Sequence, residues 1–402
     1  MRVPFLVKGF AMNIKDLYDS ARQIDNWVVE VRRSLHRIPE KGFAEFKTAA
    51  LIRQTLSDLR IPFTTERTWT VATIRGAQPG PTVGLRADID ALPITEPPGC
   101  SFRSEHEGWM HACGHDMHTA IQLGAAKLLN GLRDQLRGEV RLFFQPAEET
   151  VGGGKPMVEA GVMEGVDAVY GLHVQPYMLV GQMDTRLGCL NGSTDDIIIR
   201  VGGVSGHAAR PEQGVDAIVC AAEIICALQT VISRSTSPLN PAVLSLGTIN
   251  GGEAPNVICD KVEIKGTLRT TDPGLRAGLK TRIREICAGI ASANRAQAEV
   301  EIIEGYAPLI NNPREAERVL RLGKALLGQD NVQVRELPSM GGEDFSYFVE
   351  KAPGAFWHLG CSERLPAPSL HSKELVPDER CLAIGAAMEC ALVMDRMGVL
   401  EA

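Results

Sequence analysis

Between about Thr194 and Tyr306 the chain reads strand, helix, strand, strand, helix, strand, and this self-contained order interrupts a longer strand–helix alternation. The period-two and period-3.6 patterns place strands over 196–201, 242–249, 261–269 and 299–303, with helices over 215–232 and 274–293. That βαββαβ order is the ferredoxin-like, split-βαβ arrangement. A unit that can close its own small sheet need not share a core with what surrounds it. The reading is therefore one α/β domain built from residues 13–193 and 307–402, with a second domain inserted at 194–306.

The flanking segments predict a different architecture. Apolar positions recur every three or four residues over 13–59, with a break at Ile38-Pro39. Strands follow over 70–75 and 82–87, the second an apolar run ending in Asp88 and Asp90. Then come a helix over 117–132, a strand over 139–144, a Gly-rich turn at 152–154, a helix near 156–160 and a strand over 168–174. The alternation resumes with a helix over 315–327. Buried apolar strands alternating with helices predict an α/β sheet covered on both faces.

Charge and hydropathy narrow the function. Forty-two Lys and Arg against 49 Asp and Glu give a net charge of −7, so the chain carries no basic footprint for nucleic acid. No apolar run approaches the roughly 20 residues that span a bilayer. Residues 1–11 lack the features of an export signal and read as an extension ahead of a second candidate start at Met12. Ten cysteines without a regular framework fit reduced thiols, and a cytoplasmic location is expected.

Two clusters can do chemistry. In His111-Ala112-Cys113-Gly114-His115-Asp116-Met117-His118, Cys113 and His115 stand two apart and can converge on one ion, a thiolate with imidazoles suiting zinc and its neighbours. The same residues could instead be a buried cysteine and two surface histidines beside a helix start. In Gln145-Pro146-Ala147-Glu148-Glu149, at the carboxyl end of an apolar strand, one carboxylate can hold a metal while the other takes a proton from an attacking water. The bland alternative is two solvated acids on a turn. His173, closing the run Ala168-Val169-Tyr170-Gly171-Leu172, and His371 near the C-terminus are further candidates.

Rival motifs fail. Gly152-Gly153-Gly154-Lys155 is followed by proline, not Ser or Thr, so it is no phosphate loop. Gly203-Val204-Ser205-Gly206-His207 misses the nucleophile elbow at its last position. His106 and His111 are five apart, one too many for the zinc helix H-E-x-x-H.

Ordered blocks along nearly the whole chain carry a resemblance. They are Leu35-His36-Arg37-Ile38-Pro39-Glu40, Arg86-Ala87-Asp88-Ile89-Asp90-Ala91-Leu92-Pro93, the stretch 111–120, the stretch 145–149 and Gly171-Leu172-His173. Later blocks are Gly206-His207-Ala208-Ala209, the stretches 251–258 and 341–345, and Leu370-His371-Ser372. In these the chain resembles the M20 metallopeptidase family, in the amidohydrolase branch of hippurate, N-acetyl-diaminopimelate and indoleacetyl-amino-acid hydrolases.

The resemblance implies two divalent metal ions (zinc, or manganese, cobalt or nickel) held by Cys113, His115, Glu149, His173 and His371. It implies Glu148 as general base, with Asp88 and Asp90 orienting the ligands. It makes the inserted domain a lid and dimerisation domain, implying a homodimer that can assemble further to a tetramer. His207 would stabilise the tetrahedral oxyanion, Asn256 and Arg269 would hold polar groups of the substrate, and residues 341–345 would form a backbone turn lining the pocket. His207 could instead be a loop residue packed between glycines, and Arg269 could equally be a lid-surface ion pair. Gly154 and Arg210 stand where the family usually has Ala and Met. Arg210 could favour acidic substrates or simply be solvated.

The expected activity is hydrolysis of the amide bond of N-acyl amino acids, releasing a carboxylic acid and a free amino acid. A dipeptidase or carboxypeptidase on the same scaffold is the nearest alternative. A non-catalytic metal- or peptide-binding protein is a rival of another class.

Overall fold

The computed structural model describes residues 12–401, so the reading of residues 1–11 as an extension lies outside the described residues. The chain divides into two compact units. One comprises residues up to Leu190 together with Ile310–Leu337 and the segment from Asp344 onward; the other comprises Asn191–Leu309 and Pro338–Glu343.

The larger unit is built on an eight-stranded mixed sheet. Its order is Phe63–Glu66, Trp69–Arg75, Arg137–Gln145, Gln78–Asp88, Ala168–Leu179, Gly354–Ser362, Met183–Thr185 and Val332–Val334. The four central strands, from Arg137–Gln145 to Gly354–Ser362, run parallel. Helices His115–Gly131 and Cys381–Arg396 pack against each other under a continuous apolar core. Gly385 makes that approach possible, since a Cβ there would lie 2.7 Å from Ile121.

The N-terminal helical stretch is three helices, Ile14–Gln23, Asp25–His36 and Phe46–Asp58. The break at Ile24, which the apolar period conceals, arises where its N–H turns back to the carbonyls of Ala21 and Arg22. Strand Ala168–Leu179 outruns its expected end at 174, so His173 sits within a strand rather than closing one. Among the described residues no helix is long and apolar enough to cross a membrane.

The smaller unit has a four-stranded antiparallel sheet in the order Ala242–Gly251, Lys261–Thr270, Asp195–Gly202, Gln297–Glu304. Helices Ala217–Ser233 and Pro273–Ala293 start on the side-chain caps of Asp216 and Asp272. Alternate strand residues Ile197, Ile199, Val262, Ile264 and Leu268 are buried with these helices in a separate core. On the opposite face Arg200 bridges Glu263 and Glu301 at 3.3 and 2.8 Å. Strand order and helix placement are those of the ferredoxin-like βαββαβ unit.

Candidate metal centre

The carboxyl ends of the parallel strands bring the chemistry together. Helix His115–Gly131 begins after Gly114, whose φ of 88° is left-handed and whose added Cβ would lie 2.5 Å from Val174. Glycine is needed there on both counts. The turn it makes lets Cys113 and His115 share a pocket with His173, their donor atoms all within 4.8 Å of one another. Cys113 Sγ lies 3.3 Å from His173 Nε2.

Two further triplets overlap this one within the same limit, Cys113 with Glu149 and His371, and His115 with Glu148 and Glu149. Glu149 Oε1 is 3.1 Å from His371 Nε2 and 3.8 Å from His115 Nε2. His371 has a left-handed φ of 65° and is anchored by its N–H to the Ala112 carbonyl at 2.8 Å. All six residues that the resemblance assigns to metal and base thus meet in the larger unit.

The ring nitrogens separate donors from scaffold. His173 Nδ1 donates to the Val174 carbonyl at 2.7 Å, which leaves Nε2 as a lone pair facing Cys113. His115 Nδ1 lies 3.2 Å from Asp90 Oδ1. Its Nε2 is buried without a hydrogen bond, as is Glu149 Oε1. His118 is consumed at both ends: Nδ1 binds Asp88 at 2.6 Å and Nε2 accepts the Val174 N–H at 2.9 Å. It stacks edge-on to His173, 4.5 Å between centroids. His118 is thus support rather than a donor, a role its place in the cluster does not disclose.

The loop bearing Glu148 and Glu149 is held by its backbone. Glu45 accepts from Ala147 N at 2.9 Å, Asp90 from Glu149 N at 3.0 Å and Asp344 from Gly154 N at 2.8 Å. Asp344 also takes Arg86 at 2.6 Å, and Arg86 reaches Asp88 at 2.7 Å, all fully buried. A Cβ on Gly154 would lie 2.8 Å from the Asp344 carbonyl oxygen, so glycine gives this contact room. Glu45 is not singled out by local sequence, and Asp344 is read there only as part of the turn 341–345, not as an anchor.

The electrostatics suit a cation. Burial works against a charged His115, yet Asp88, Asp90 and Glu149 outweigh it and lift the imidazole to about 10. Burial, with Glu149 and Glu148, pushes the Cys113 thiol well above its ordinary range. A thiol so placed becomes a ligand only when a cation compensates the thiolate. Sulfur, imidazole and carboxylate donors, with a buried nitrogen and oxygen lacking hydrogen bonds, fit such an ion.

The remaining site candidates lie in the smaller unit. His207 is exposed on Gly206–His207, a short strand paired with Val257–Ile258, and its Nδ1 accepts the Ala209 N–H at 3.0 Å. Asn256 stands beside it, its carbonyl taking the Ala208 N–H at 3.1 Å. Arg269 is half-buried on Lys261–Thr270 and donates to the Met340 carbonyl at 2.9 Å, a backbone contact rather than an ion pair.

An α/β sheet with this donor cluster at the carboxyl ends of its parallel strands, in a chain that also carries a ferredoxin-like unit, has the build of a metallohydrolase. The profile of peptidase family M20/M25/M40 matches residues 84–395. The N-acetyl-L-cysteine deacetylase of Bacillus subtilis is 42% identical over 340 residues, 84% of this chain and 81% of that protein. Thermostable carboxypeptidase 1 of Saccharolobus solfataricus is 37% identical over 390 residues, covering 95% and 98%. The crystal structure of the Bacillus subtilis YXEP protein, a dinuclear metal binding peptidase from the M20 family, matches with a TM-score of 0.83 at 33% identity. That match covers 94% of this chain and 100% of the other. The chain belongs to the M20 peptidase family, in its amidohydrolase branch, and is an M20 hydrolase.

Proposed function

We propose that this protein is a dinuclear metal-dependent amidohydrolase that cleaves N-acyl amino acids, N-acetyl amino acids foremost. The observation that carries the reading is the meeting of Cys113, His115, Glu149, His173 and His371, five donors from four separate stretches, around the Glu148 carboxylate. The overlap of the triplets through Cys113 and Glu149 supports two adjacent cations. Bound metal would polarise the scissile carbonyl and acidify the attacking water. Glu148 takes the water proton and passes it to the leaving amine, so one carboxylate serves as base and then acid. His115 and His173 are kept in their ligand tautomers by Asp90 and the Val174 carbonyl. His207 as oxyanion donor, with Asn256 and Arg269 as holders of the substrate, completes the proposal on the strength of the resemblance.

The 42% identity to an N-acetyl-L-cysteine deacetylase favours an acetyl group on the acyl side of the scissile amide. The 37% identity to a carboxypeptidase favours a second reading, release of a C-terminal amino acid from a short peptide. Metal-stripped protein reloaded with zinc, manganese, cobalt or nickel would be assayed on N-acetyl amino acids, N-benzoyl amino acids and dipeptides. Turnover of the N-acyl substrates at least tenfold above the dipeptides is expected. Dipeptides ahead by that margin would replace the first reading with the second.

A further inference from the structure

The donors accept a metal only if Glu148 and Glu149 are aimed correctly, and both sit on a loop with unusual backbone constraints. Ala147 is left-handed at φ 58°, a conformation that costs a non-glycine residue energy. The loop closes on itself where Gly152 N meets the Ala147 carbonyl at 3.0 Å. Glu45, wholly buried at the start of helix Phe46–Asp58, takes the Ala147 N–H. Gly42 packs on the same place: a Cβ there would lie 2.5 Å from Thr150 Oγ1 and 2.8 Å from Ala147 Cα. The short segment from Gly42 to Glu45 therefore meets the loop by contact at one end and by hydrogen bond at the other.

We infer that Glu45 is a positioning residue for the metal centre, holding Ala147 in its left-handed conformation so that Glu148 and Glu149 face the pocket. The inference rests on the proposed metal-dependent reaction, and it concerns a carboxyl that touches no donor itself. What the loop needs from Glu45 is an oxygen acceptor at a fixed reach, not a charge. No basic side chain pairs with Glu45 among the described residues. Burial raises this carboxyl to about 7, with the nearby Asp90 adding to the rise. The isosteric amide should then replace it, and a shorter carboxylate should not.

The test uses the full chain loaded with cobalt(II), in four variants: Glu45→Gln, Glu45→Asp, Glu45→Ala and Gly42→Ala. Three quantities are read, namely the visible absorption of bound cobalt, its affinity by competition with a chromophoric chelator, and kcat and KM on an N-acetyl amino acid. Glu45→Gln should recover most of kcat and the wild-type cobalt spectrum. Glu45→Ala and Glu45→Asp should lose at least tenfold in kcat with KM within about threefold, alongside an altered cobalt band. Gly42→Ala, which displaces Ala147 from the other side, should show the same pattern. A merely structural role would lower thermal stability and leave the spectrum of the folded fraction unchanged. The inference is overturned if Glu45→Ala keeps the wild-type spectrum, or if Glu45→Gln is as damaged as Glu45→Ala. Should Glu45→Ala fail to fold, Glu45→Gln and Gly42→Ala decide. If wild-type protein binds cobalt and turns over no N-acyl amino acid, the proposed substrate is wrong, while the cobalt measurements still judge Glu45.

Discussion

Glu389 offers a sharp test of the electrostatics of the larger unit. It lies on helix Cys381–Arg396, where every residue from Cys381 to Met394 is buried, and it is itself 2% exposed. Its Oε2 has no hydrogen bond among the described residues, and burial alone holds the carboxyl well above its ordinary 4.5. The folded chain therefore keeps a proton that the unfolded chain gives up. Against a neutral side chain, Glu389 costs least below pH 4.5, where both states are protonated. Above that value the unfolded state ionises and the relative stability falls by about 1.4 kcal/mol per pH unit until the buried group ionises too. Replacing Glu389 by Leu also removes an unsatisfied buried oxygen, worth about 1–3 kcal/mol at any pH. Paired thermal melts of Glu389→Leu and wild type, in chelator and from pH 5 to pH 7, should diverge as the pH rises, by up to about 1.4 kcal/mol per pH unit. At about 2 °C per kcal/mol for a unit of this size, the gap in Tm widens by up to about 3 °C per pH unit. A gap that stays constant with pH would refute the argument, since the carboxyl would then be ionised in the fold and stabilised by an unseen partner.

Three further outcomes follow from the same network. Glu148→Gln should retain cobalt or zinc in full yet lose about 10²–10⁴-fold in kcat, measured on metal-saturated protein. His118→Ala removes the group that ties Asp88 to Val174, and should weaken metal binding about 10–100-fold by chelator competition with helix content unchanged. Asp344→Ala strips a buried partner from Arg86 and an acceptor from Gly154. A loss near the lower end of about 3–5 kcal/mol is expected in denaturant titration, because Arg86 keeps Asp88.

What could be read in advance, and what could not, divides along the range of the interactions. The strand before Asp88 was legible from its apolar run, whereas its true start at Gln78 is hidden by Pro79, Gly80 and Pro81. Strand Gly354–Ser362 lies at the heart of the sheet and goes unrecognised, because a run buried on both faces has no alternation to betray it. Helix Cys381–Arg396 is missed for the matching reason: buried on all sides, it has no polar stripe. At the site, the Cys-Gly-His and Glu-Glu clusters are local and stand out. The bond from Arg86 to Asp344 joins residues 258 apart, and nothing near Asp344 marks it as a buried anchor.

The same contrast explains why the pocket forms where it does. In the parallel pairing of Gln78–Asp88 with Ala168–Leu179, the last partners are Arg86 and Gly171. Along Ala168–Leu179 the backbone groups alternate sides, and Val169 donates toward Pro353 on the flank of Gly354–Ser362. Val174, five residues on, must therefore point its N–H toward the flank where the neighbouring strand has stopped pairing. A buried N–H left there would cost the desolvation of an unmet donor. His118 meets it, reaching across from the second turn of helix His115–Gly131 at 2.9 Å, while its other nitrogen holds Asp88 at the end of the strand that has run out. The imidazole thus finishes the hydrogen-bond ladder and fixes the start of the helix against the sheet in one step. That junction sets Cys113 and His115 opposite His173, so the donors converge because strand Gln78–Asp88 ends at that level while its neighbour runs on. A site of this kind needs an unequal pair of strands as much as it needs its ligands.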